Sequence, residues 1–101
     1  MIGEKRIHFV GIGGAGMSAI AMVLLARGVQ VTGSDLKESR NTRRLRQMGA
    51  RVFIGHRPEN VEEAEVVVVS SAVPESNVEL ARAREKGLAI LPRAAMLGTF
   101  M

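Results

Sequence analysis

Four glycines fall within six consecutive positions of the run VGIGGAGMS (residues 10–18), at Gly11, Gly13, Gly14 and Gly16. Three of them make a Gly-x-Gly-x-x-Gly spacing between a short β-rich run and a long apolar one, the setting in which that pattern has a physical meaning. Gly11 permits a tight turn, Gly13 lets backbone approach a diphosphate with no Cβ in the way, and Gly16 allows close packing of the following helix. Gly14 clears one more side chain from the mouth. The unpaired N–H groups and the positive dipole end of that helix would stabilise bound negative charge.

About 20 residues beyond the loop, where an acidic side chain can bind a ribose hydroxyl, stands Asp35, preceded by Ser34. Asp35 serves equally well as the opening of a turn, given the polar residues after it. His56 and Arg93 each follow an expected strand, so both belong to the same edge as the glycines. His56 would face a base or ribose and Arg93 an anionic group, or each holds a surface loop. His8 lies inside the first strand and is read as structural.

The elements that must position these residues alternate along the chain. β-rich runs occupy residues 6–11, 29–35, 51–56, 66–71 and 88–92. Helical runs occupy 15–27, closed by Gly28, and 77–86, closed by Gly87. A short basic helix capped by Asn41 or Thr42 ends at Gly49, and residues 58–65 form a turn or short crossover. A last helix starts near Arg93. Alternation of this kind means right-handed βαβ units, hence an α/β, Rossmann-like fold with a five-stranded parallel sheet of order 3-2-1-4-5 and helices on both faces. The four successive valines at 66–69 suit a strand buried on both sides. In that order the binding crevice opens between strands one and four, which sets Ser70 and Ser71 opposite the glycine loop. Ser76 or Asn77 would cap the next helix.

Composition narrows the function classes. The 101 residues are 47% hydrophobic and 24% charged, which suits one globular domain. Aromatics are only 3%, too few for a base-stacking platform, so nucleic-acid binding rests on the Arg40, Arg43, Arg44 and Arg46 cluster alone and ranks last. That cluster also suits a solvated helix face. Without cysteine there is no disulfide and no thiolate chemistry. Lys5 and Arg6 before an apolar stretch imitate a secretory signal, but glycines interrupt it, and the uninterrupted part is shorter than the roughly 20 residues a membrane span needs. No nucleophile-base pair, catalytic carboxylate pair or metal cluster is visible, so the domain reads as one that holds a nucleotide without transforming it. Catalytic and metal sites are therefore both expected to be none.

The blocks IHFVGIGGAGMSAIA, VTGSD, IGH, VVVSSAVPESNVEL and RAAML, in this order and spacing, closely resemble the N-terminal domain of the Mur ligases of peptidoglycan synthesis, in particular those acting on UDP-N-acetylmuramate and L-alanine. The resemblance implies a three-domain cytoplasmic enzyme whose N-terminal domain binds the UDP moiety, while ATP and Mg²⁺ belong to a central domain. It places Gly11, Gly13, Gly14 and Gly16 along the diphosphate, Ser34, Asp35 and His56 toward the uridine, and Ser70, Ser71 and Ala72 along the diphosphate and sugar, with Arg93 as a further contact. The glycine-rich ATP loop of the family has no counterpart here. Residues 1–101 are accordingly read as a single UDP-sugar-binding domain, a fragment that binds no cofactor itself and that pairs with an ATP-binding domain of the same polypeptide. The apolar stripe of Met96, Leu97, Phe100 and Met101 agrees with a missing neighbour. Two other readings remain open: the cofactor half of an NAD-dependent oxidoreductase, and a regulatory dinucleotide-binding module.

Overall fold

In a computed structural model describing residues 5–93, five parallel strands lie side by side in the order β3-β2-β1-β4-β5. They are β1 (Arg6–Val10), β2 (Gln30–Asp35), β3 (Arg51–Ile54), β4 (Val66–Val69) and β5 (Ala89–Pro92). The described helices are α1 (Ala15–Ala26), α2 (Arg40–Gln47) and α3 (Val78–Lys86), with a 3-10 turn at Pro58–Val61. Fold class and strand order are those read from the sequence. The apolar stripe beginning at Met96 lies outside the described residues.

Alternation along each strand divides the core into two layers. Ile7 and Phe9 of β1, Val31 of β2 and Val66 and Val68 of β4 pack under α1 and α2, against Met17, Ile20, Leu24 and Leu45. Val10 and Val67 point the other way, toward Val61, Leu80 and Ala83 of the 3-10 turn and α3. This two-sided burial is why β4 is unbroken valine. Helix α1 buries Met17, Ser18, Ile20, Ala21 and Leu24, while Val23 on its outer side stays half exposed.

Strand ends differ from the sequence expectation at the edge that matters. β3 stops at Ile54 because Gly55 turns left-handed (φ +98°) and donates its N–H to the carbonyl of Asp35 at 2.7 Å, which carries His56 out of the sheet. β4 stops at Val69, leaving Ser70 and Ser71 in the following turn. Helix α2 starts earlier than expected and is capped by Ser39, not Asn41 or Thr42. Ser39 Oγ accepts from the Thr42 N–H, and Thr42 Oγ1 accepts from the Ser39 N–H, a reciprocal pair that satisfies two donors at once. Helix α3 is closed by Gly87 in the left-handed region (φ +70°), as read.

Candidate functional site

Register brings the pieces together. Val10 pairs with Ser34 on one side and Val69 on the other, so the residues after each strand, the glycine loop, Asp35 and Ser70, emerge at one edge. They bound a crevice of about 600 Å³, within the usual range for small-molecule sites, lined by Gly11, Gly13 and Gly14, by Asp35 and His56, and by Ser70 and Ala72. A Cβ on Gly11 would come 3.8 Å from the Cβ of Ser70, so the serine stands directly against the loop. Ser71 is exposed and does not line the crevice.

Most donors of the glycine loop are spent inside it. The N–H groups of Gly11 and Ile12 both reach the Ser34 carbonyl (2.8 and 3.0 Å), and Gly14 donates to Gly11 (3.2 Å). Gly13 is held at both ends of its residue: its N–H donates to Asp35 Oδ2 at 2.7 Å, and its carbonyl accepts from Asn41 Nδ2 at 2.9 Å. A Cβ on Gly13 would sit 2.6 Å from Asp35 Oδ2, so the carboxylate, as much as any ligand, requires glycine there. The other oxygen of Asp35 accepts from the Leu36 N–H at 2.8 Å, and each carboxylate oxygen keeps further acceptor capacity in a residue that lines the crevice.

What the loop leaves free is the first turn of α1. The N–H groups of Ala15, Gly16 and Met17 have no partner among the described residues, no side chain caps the helix at Gly14, and its first turn holds no acidic residue. Over this turn lies Arg93, whose Nη1 would be 2.5 Å from a Cβ on Gly16 and whose guanidinium makes no hydrogen bond or ion pair among the described residues. A helix N-terminus and a guanidinium repel one another unless an anion lies between them. The arrangement sets backbone donors and a cationic side chain together beside the glycine loop. Arg93 lies against Gly16 but is not among the residues lining the crevice. Only the fold shows that the side chain of Gly16 is missing where Arg93 lies.

The floor of the crevice holds a group that sequence reasoning missed. Glu79 of α3 is fully buried. Its Oε1 accepts from His8 Nε2 (2.7 Å) and Ser34 Oγ (2.7 Å), and its Oε2 accepts from the Arg57 N–H (3.0 Å) and Asn60 Nδ2 (2.8 Å), with His56 Nδ1 at 3.4 Å. Burial alone would raise the carboxyl's pKa. The hydrogen bond and charge of His8, followed by the bonds from Ser34 and Asn60, outweigh it and hold the pKa at about 2, so the group is ionised. His8 Nδ1 meets Thr32 Oγ1 at 2.7 Å, and Ser34 Oγ meets His56 Nδ1 at 2.9 Å. Ser34 is thus not a crevice wall: it is fully buried and its hydroxyl is committed below the floor, because its position on β2 points it toward α3. His8 is structural, as read. A signal was available: Thr32 and Ser34 are polar at alternate positions of a strand buried on both faces, and His8 is the register partner of Thr32.

Asn77 lines the far wall and caps α3, its Oδ1 accepting from the Glu79 N–H at 2.8 Å. Among the described residues no three His, Asp or Glu side chains converge as metal ligands, and the sequence has no Gly-x-x-x-x-Gly-Lys-Ser/Thr run. Nor is any described helix long and apolar enough to cross a membrane.

A parallel sheet in this order, with a crevice opening beside the glycine loop at its switch point, defines a Rossmann-like domain. The model of the Mur ligase family, catalytic domain, matches residues 6–101, and the chain belongs to that family. A UDP-N-acetylmuramate–L-alanine ligase of Roseobacter denitrificans is 63% identical over 95 residues, covering 94% of this chain and 20% of that protein. The crystal structure of the UDP-N-acetylmuramate-alanine ligase MurC of Thermotoga maritima superposes with a TM-score of 0.89 at 37% identity, over 93% of this chain and 22% of the other. A murein peptide ligase of Psychrobacter arcticus gives 0.87 at 26% identity, over 94% and 20%. The chain thus spans about a fifth of the length of these relatives.

Proposed function

We propose that this chain is the UDP-binding domain of an ATP-dependent ligase that joins L-alanine to UDP-N-acetylmuramate in cytoplasmic peptidoglycan synthesis. The observation that supports the reading is the first turn of α1 under Arg93, neither with a partner among the described residues, next to a crevice of about 600 Å³ that the glycine loop lines. In this reading the free N–H groups of Ala15, Gly16 and Met17, with Arg93, bind the diphosphate. Gly11, Gly13 and Gly14 keep side chains away from it, Ser70 and Ala72 border the diphosphate and sugar, and Asp35 and His56 face the uridine. Ser71 lies at the rim. L-alanine as the added group is supported by the alanine ligases' higher identity, 63% and 37% against 26% for the peptide ligase. ATP and Mg²⁺ would be held by other parts of the ligase, and no step of the reaction is assigned to residues of this chain.

Calorimetric titration with UDP-N-acetylmuramate, UDP and NADH tests the assignment. The two uridine nucleotides should bind and NADH should not, and Arg93→Ala should weaken UDP by about tenfold, the scale of one charge-assisted hydrogen bond to phosphate. Binding of NADH alone would overturn the proposal in favour of an oxidoreductase cofactor domain.

A further inference from the structure

The hydrogen-bond geometry beneath the crevice determines where the protons lie. Glu79 Oε2 receives groups that can only donate toward it, the Arg57 N–H and Asn60 Nδ2, and the ionised carboxylate has no proton of its own to return. Ser34 has a single hydroxyl proton, and it is directed at Glu79 Oε1 (2.7 Å). Ser34 Oγ can then only accept from His56 Nδ1 at 2.9 Å, with Glu79 Oε2 3.4 Å from the same nitrogen. His56 Nδ1 must carry the hydrogen. The opposite ring nitrogen, Nε2, has no partner among the described residues, and His56 lines the crevice.

We propose that Glu79, acting through Ser34, is a positioning residue that fixes the tautomer of His56, so that Nε2 faces the crevice as an acceptor for a donor N–H or O–H on the nucleoside end of the ligand. The proposal rests on the nucleotide reading above for the ligand but not for the tautomer. In a uridine nucleotide the donors are the imide N–H and the ribose hydroxyls. A histidine whose proton faced outward would offer them nothing in its neutral form, whereas one with the proton held inward selects for them. The buried carboxylate thus tunes recognition without touching the ligand. The arrangement follows the general rule that the partner of one ring nitrogen dictates what the other can do.

Nitrogen-15 correlation spectra of the imidazoles in the free chain, with His56→Gln used to assign the signal, test the tautomer directly. Neutral His56 should show its proton on Nδ1 in the wild type. In Ser34→Ala, and separately in Glu79→Gln, the proton should redistribute toward Nε2. Binding then tests the consequence. Both substitutions should weaken UDP by about tenfold, the scale of one lost hydrogen bond, and leave inorganic pyrophosphate, which has no nucleoside, unchanged. Loss of the same tenfold with 3-methyl-UDP identifies the imide N–H as the donor, and loss with 2′- or 3′-deoxy-UDP identifies a hydroxyl. Ser34→Ala keeps the test alive if Glu79→Gln fails to fold. A wild-type His56 protonated on Nε2 would overturn the proposal, as would equal weakening of UDP and pyrophosphate, or analogues that all bind like UDP. If neither UDP nor pyrophosphate binds the wild type, the nucleotide reading fails and the acceptor role with it, while the spectra still decide the tautomer.

Discussion

The two faces of the sheet are held by different physics. Under α1 and α2 the contacts are hydrocarbon: Phe9, Ile7, Leu24 and Leu45 are buried against one another with no buried charge among them. Under α3 a smaller apolar cluster around Val10, Val67 and Leu80 surrounds an ionised carboxylate that ties together β1, β2, the turn after β3 and α3. Apolar packing is tolerant, because it depends on volume and is indifferent to atom identity. A hydrogen-bonded carboxylate is intolerant, because each lost partner leaves another group buried and unpaired. The α3 face is also the one that supports His56 at the crevice. The chemistry of the edge is therefore anchored to the less forgiving layer.

The largest effect expected from this contrast is that of Glu79→Ala. It strands His8, Ser34, Asn60 and the Arg57 N–H together, and urea denaturation should show a loss of about 3–5 kcal/mol. A loss below 1 kcal/mol would mean that water replaces the carboxylate and the two faces are alike.

Next comes acid. Because the folded-state pKa of Glu79 lies at about 2, below its ordinary 4.5, its contribution is complete above pH 4.5 and is lost as pH falls toward 2. The sum at stake is roughly 3 kcal/mol. Stability against pH should fall across that window in the wild type and more shallowly in Glu79→Gln. Parallel curves would remove the carboxylate from the account.

Smaller, and the sharpest comparison, is a pair of size-conserving changes. Glu79→Gln should cost about 1–3 kcal/mol by reversing a donor-acceptor contact. Leu24→Met, equally buried on the opposite face, should cost less than about 1.5 kcal/mol. Equal costs would abolish the distinction. Smallest of all, Arg82→Ala, which breaks an exposed pair with Glu62, should leave the urea midpoint where it is.

How much of this was legible in advance divides along the same line. The apolar layer was written in local patterns: the valine run at 66–69, the helix closed by Gly28, the glycines after β1. The crevice was legible in outline, since the glycine spacing and strand order together point to the edge that Asp35, His56 and Ser70 line. The free donors were read at the start of the first helix, and the fold adds that the N–H groups of Gly11, Gly13 and Gly14 are used to shape the loop. Helix α2 was misjudged, its cap being a reciprocal pair between Ser39 and Thr42 and not a single side chain.

By itself, then, the amino-acid order determined the elements, their parallel sequence and the place of the glycine loop, because hydrophobic periodicity, glycine and helix caps act over a few residues. The tertiary structure alone decided that Glu79 accepts from His8, 71 residues away, and from Ser34, 45 away, and that Arg93 fills the space beside Gly16. A buried carboxylate is tolerable only when donors from several strands and loops converge on it, and convergence is a property of the packed sheet, which no local stretch of sequence encodes.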